Sequence, residues 1–136
     1  MKITINKNQD EIVVIPEMFK EEKNPPKFVF RNPNSADVLR FLWGKLNIDD
    51  ATYNCFLRFE NKIDLFDEKG NKVEYSTYEE FIKAGASVEI AIIHNECANK
   101  IQKKLNDMIL EAQQTEKKLK SPMNSTEKDK QATPNG

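Results

Sequence analysis

His94 is the only histidine in the 136-residue chain. It is the first residue to weigh for chemistry, because an imidazole changes charge near neutral pH and can act as a general base. That role needs an orienting partner and a nucleophile within hydrogen-bond reach. The sequence names neither, so a structural or surface histidine is expected. Carboxylates pair at Asp49/Asp50 and Glu79/Glu80. Such pairs could be catalytic acids or metal ligands, yet both fall where helices should begin, and there they favour the positive end of the helix dipole. Cys55 and Cys97 each fall on an apolar helical face, which points to buried free thiols rather than a disulfide or metal site. No CxxC pair or Cys/His cluster suggests zinc. Asp64–Gly70 is only superficially like a calcium loop, since the alternating oxygen ligands and terminal Glu of an EF-hand are out of register. No Gly-rich loop could cradle a phosphate. The expectation is a protein without catalytic residues, metal or cofactor.

Composition narrows the partners. With 21 basic and 22 acidic residues the net charge is −1, which gives no electrostatic case for nucleic acid. The charges are uneven: residues 99–136 carry eight Lys against five acids, and residues 60–80 carry seven acids against three Lys. A solvated surface accounts for both. The first six residues lack a signal-peptide core, and no apolar run approaches the ~18 residues of a membrane span. A soluble protein of the host cytoplasm, with no membrane partner, is therefore expected.

The elements that must position these residues are organised around one stretch, Ser87 to about Leu119. Ile90, Ile93, Cys97, Ile101, Leu105, Met108 and Ala112 recur at steps of three and four, one stripe of an α-helix. Ser87 can cap its start, and at ~1.5 Å per residue it would be about 50 Å long. Earlier in the chain, Lys2–Lys7 and Glu11–Ile15 read as strands that could form a hairpin around Asn8-Gln9-Asp10. Pro16–Lys23 suits one helical turn, and Lys27–Arg31 another strand. Asn34 or Ser35 caps a helix to about Leu46, with Val38, Leu39, Leu42, Trp43 and Leu46 on one broad face. A second helix is expected over Asp50–Glu60, burying Ala51, Cys55, Phe56 and Phe59. Lys62–Phe66 and Lys72–Tyr75 flank a turn at Gly70. Ser76 and Glu79 match a capping box before a short helix through Phe81 and Ile82, and Gly85 supplies a left-handed stop. The fold expected is α+β: a small antiparallel β segment packed on three or four helices, with a long C-terminal helix. Residues 1–112 form one domain; 113–136 form a frayed helix end and a polar, disordered tail.

Two features point to protein binding. Phe28, Phe30, Phe41, Trp43, Tyr53, Phe56 and Phe59 suit a packed core, but Phe41 lies off the Val38/Leu42/Leu46 row and could belong to an interface. The distal half of the long helix has no evident partner in the chain. Phe41, Ile101, Leu105, Met108 and Ile109 are therefore the candidate partner-binding residues, with self-association or a long partner helix as the occupant.

Lys27-Phe28-Val29-Phe30-Arg31-Asn32-Pro33-Asn34-Ser35-Ala36-Asp37-Val38-Leu39 reads as an aromatic strand, a Pro turn, a small residue, an Asp and an amphipathic helix. A Gly-containing turn at Asp67–Asn71, a short Tyr-Glu-Glu-Phe-Ile helix and a long helix with a polar tail follow. Over about residues 27–105 this resembles the small tail assembly chaperones of long-tailed bacteriophages and prophages. The resemblance implies a non-enzymatic assembly factor that coats the long helical tape measure protein, helps recruit tail tube subunits and is absent from the finished virion. It also implies a possible longer form made by frameshifting, for which Glu116-Lys117-Lys118-Leu119-Lys120 is a plausible place. The segment Lys2–Ile15 and the length of the last helix have no counterpart in the family. A structural phage component, such as a connector or tail completion protein, is the alternative, followed by a bacterial helical adaptor.

Overall fold

The computed structural model describes residues 1–5 and 10–120. Strands β1 (Glu11–Val14) and β2 (Lys27–Arg31) are followed by helices α1 (Ser35–Leu42) and α2 (Ile48–Cys55). Then come β3 (Phe56–Glu60), β4 (Leu65–Phe66), β5 (Lys72–Val73), α3 (Tyr78–Ile82) and α4 (Val88–Lys120). β1, β2 and β3 form an antiparallel sheet in that order, and β4 and β5 form a separate two-stranded ribbon. The fold is α+β, as the sequence predicts. No helix among the described residues is long and apolar enough to cross a membrane.

The chain divides into two compact units, residues 1–104 and residue 105 onward. The first unit is built on β2, the central strand, whose Phe28, Val29 and Phe30 are all buried. Phe28 meets Phe59 and Phe81 at ring centroid separations of 5.6 and 5.3 Å, and Phe30 meets Phe56 at 5.5 Å. Tyr75 and Tyr78 complete this aromatic core. Edge-to-face packing of such rings adds stabilisation beyond their buried area. On the other face, Arg58 of β3 donates to both Glu11 carboxylate oxygens of β1 at 2.9 and 2.8 Å, reaching over the central strand. Ile90, Ile93, Cys97 and Ile101 of α4 are buried along the predicted stripe. The second unit comprises the rest of α4 to Lys120. Its Gln, Glu and Lys residues favour helix, so α4 runs past the fraying expected at Gln113. The tail expected beyond Lys120 lies outside the described residues.

Several sequence expectations are corrected. The predicted helix over Asp50–Glu60 ends at Cys55, and Phe56–Glu60 is strand β3. Phe56 and Phe59 are three residues apart, a helical spacing. An irregularity in the pairing with β2 lets Phe28 face Phe59 and Phe30 face Phe56, leaving Leu57 as the extra residue and keeping both rings in the core. Met1–Ile5 forms no strand, and β1 pairs with β2 instead. Ile3 and Ile5 are exposed, so that pairing has no hydrophobic face to support it. The rest of the predicted turn, Asn8 and Gln9, lies outside the described residues. α1 stops at Leu42, where Gly44 takes a left-handed φ of 69°. The cap of α3 is Thr77 with Glu80, one residue later than predicted. Gly70 has the positive φ expected of it, but Gly85 does not.

Candidate functional site

His94 has the partners that its sequence context does not name. α4 places it one turn before Cys97, beside Tyr78 at the start of α3 and Asp49 in the first turn of α2. Nδ1 lies 2.7 Å from the Tyr78 hydroxyl, and Nε2 lies 2.9 Å from Asp49 Oδ1. The Tyr53 ring stacks on the imidazole at 5.7 Å. Burial holds the Tyr78 phenol far above its usual range. The Asp49 carboxylate can only accept, so Nε2 carries a proton; in the neutral ring Nδ1 is then the acceptor and the neutral Tyr78 phenol its donor. The Cys97 thiol also hydrogen-bonds Tyr78, and burial pushes it up to about 12.

Carboxylate, imidazole and hydroxyl in a row is the arrangement that activates a nucleophile. Here the hydroxyl end is closed: Tyr78 is 2% exposed and Cys97 is 0% exposed. A phenol and a thiol held protonated away from solvent neither ionise near neutral pH nor meet a substrate. The row is a polar clasp joining α2, α3 and α4. Its only open end is Asp49, whose side chain is 63% exposed.

Other polar sites are occupied by local structure. A surface depression of about 560 Å³ between β5 and α3 is lined by Glu74, Glu79, Glu80 and Lys83 among others. Glu80 accepts from the Ser76 and Thr77 N–H groups, and Glu79 pairs with Lys83 at 2.7 Å. Glu80 therefore fills the capping role that the sequence assigns to Glu79, and Glu79 forms an i,i+4 pair along α3. Cys55 and Cys97 are both buried and free. Among the described residues no group of three or more His, Cys, Asp or Glu side chains could hold a metal ion.

The apolar candidates redistribute. Ile101 and Leu105 are fully buried. Met108 and Ile109 are half-buried, as is Phe41. Leu110 and Leu119 of the distal α4 are exposed, and a further group of exposed apolar residues lies on α1. In α1 only Val38 turns inward, along with Asp37. Leu39, Leu42 and the capping residue Trp43 are 45%, 54% and 64% exposed. Their i, i+3, i+4 spacing sets them side by side on one helical face, with exposed Ala36 next to them. This inverts the predicted core face, of which only Val38 and Leu46 are buried. The composition of α1 carries the signal that could have shown it. Ala36, Val38, Leu39, Phe41, Leu42 and Trp43 are too many apolar residues for one face of so short a helix.

α1 itself is firmly placed. Asn34 accepts from the Asp37 N–H at 3.0 Å, and Asp37 accepts from the Asn34 N–H at 2.9 Å, a reciprocal cap. Arg31 of β2 donates to the same Asp37 carboxylate at 2.8 Å, tying the helix start to the central strand. Comparison with protein families, curated proteins and solved structures yields no match to this chain.

Proposed function

We propose that this chain is a non-enzymatic, protein-binding assembly factor: a phage tail assembly chaperone that holds a long helical client, such as a tape measure protein, in the host cytoplasm. One observation carries the reading. The outward face of α1 sets Leu39, Leu42 and Trp43 together in solvent. Exposed apolar clusters of this kind mark binding surfaces, and Trp is among the residue types enriched in the hot spots of protein interfaces. Burying two Leu and a Trp against a client would contribute on the order of several kcal/mol. The resemblance to tail assembly chaperones supports the choice of client, since its Phe-x-Phe…Pro…Asp segment runs along β2 and into α1.

Co-expression with the longest helical protein encoded nearby in the same genome, followed by affinity capture and sizing, tests this. The expected result is a soluble complex with several copies on one client. Leu42→Glu combined with Trp43→Glu should remove the complex while the variant keeps its helix content. No complex, together with recovery of the chain from purified particles, would replace the chaperone with a structural component.

A further inference from the structure

We infer that the outward face of α1 takes an acidic amphipathic helix, an inference that rests on the protein-binding reading above. The face is a short apolar ridge at helical spacing, which suits apolar residues repeated at three and four positions on a partner helix. The charged residues of α1 and its C-terminal turn that stay exposed are both basic. Arg40 stands on the helix beside the ridge, and Lys45 follows just after the Gly44 turn; both are exposed. The acids nearest in the chain have other roles. Asp37 is buried under Arg31 and the Asn34 N–H. Asp49 faces His94, and Asp50 sits in the first turn of α2, where the dipole favours it.

Those charges decide between occupants. A second copy docking the same face by two-fold symmetry would bring Arg40 and Lys45 of both chains together, and like charges across an interface oppose association. A partner helix with Glu or Asp flanking its apolar stripe gains from the same residues. The charges would act mainly on partner choice and encounter, and the ridge on retention.

Trp43 is the only tryptophan in the chain, so its emission reports on this face alone. The probe is a synthetic helical peptide with Leu at i, i+3, i+4 and i+7 and Glu at the flanking positions. The control is the same peptide with Lys in place of each Glu. Titrated into the full chain, the acidic peptide should shift Trp43 emission to the blue and bind about tenfold or more tighter than the basic one. Its advantage should shrink as salt is added. Arg40→Glu with Lys45→Glu should reverse the preference; both positions are exposed, and circular dichroism checks the fold. Equal binding of the two peptides, or no change in Trp43 emission, overturns the inference. If the acidic peptide leaves Trp43 unmoved while the co-expressed complex forms, the acidic-helix inference falls and the chaperone reading stands. If the peptide moves Trp43 but no long helical client co-purifies, the surface assignment stands and the tail-assembly reading falls.

Discussion

The Tyr78 hydroxyl lies 2.7 Å from Nδ1 of His94, while the Asp49 carboxylate, which can only accept, faces Nε2 and calls for the proton there. The neutral ring should be the Nε2–H tautomer, donating to Asp49 at 2.9 Å. Nitrogen-15 spectra of the imidazole near neutral pH check this directly, and an Nδ1–H tautomer would contradict it. Tyr78→Phe removes the donor and leaves Nδ1 without it, at a cost of about 1–3 kcal/mol in chemical denaturation. Asp49→Asn, at the exposed end, should cost less.

Cys97 and Cys55 give a second test of the same interior. Burial pushes the Cys97 thiol up to about 12 and the Cys55 thiol up to about 11. Thiolate is the reactive form, and both residues are fully buried. Neither should be alkylated at neutral pH while the chain is folded, and both should react promptly in denaturant. Mass spectrometry of timed reactions distinguishes the two states, and rapid labelling of folded Cys97 would count against the closed site.

Much of this arrangement was legible in the sequence, and the misses share a cause. The buried stripe of α4 follows from period alone at Ile90, Ile93, Cys97 and Ile101, because a long helix repeats its signal. β3 does not follow, since Phe56 and Phe59 have helical spacing and only pairing with β2 across an irregular register turns both inward. The clasp at His94 joins residues 45 and 16 positions away in the chain, and no local pattern announces such a meeting. The outward face of α1 does not follow either, since an apolar stripe shows which side wants cover but not whether the chain supplies it, and Leu39 and Leu42 stay exposed. There the choice falls to tertiary fixtures, the Arg31–Asp37 pair and the burial of Val38.

The Arg31–Asp37 pair predicts an acid sensitivity. Burial alone would raise the Asp37 carboxyl, but the hydrogen bonds from Arg31 and the Asn34 N–H outweigh it and hold the group below its ordinary value. A carboxyl lowered by folding contributes its full stability above the unfolded aspartate value of about 4. That contribution is lost as pH falls through the lower, folded value. Asp37→Asn should therefore cost about 2 kcal/mol at neutral pH and flatten the fall of stability below about pH 5. Urea unfolding of both proteins across acidic pH measures the difference; parallel curves would show that Asp37 is not the group responsible.

Leu105 and Leu110 are five residues apart on α4 and are 0% and 56% exposed. The same substitution should therefore act very differently at the two sites. Leu105→Ala removes a buried side chain and leaves a cavity, with an expected cost of about 2–5 kcal/mol. Leu110→Ala changes a solvent-facing position and should stay within about 0.5 kcal/mol. Ala is the better helix former, so lost propensity cannot explain a large cost at either site. Thermal and urea unfolding of the two variants decide the point. Equal, small effects would mean that Leu105 is not core. A large effect confined to Leu105 would separate a core position from a surface one on the same helix.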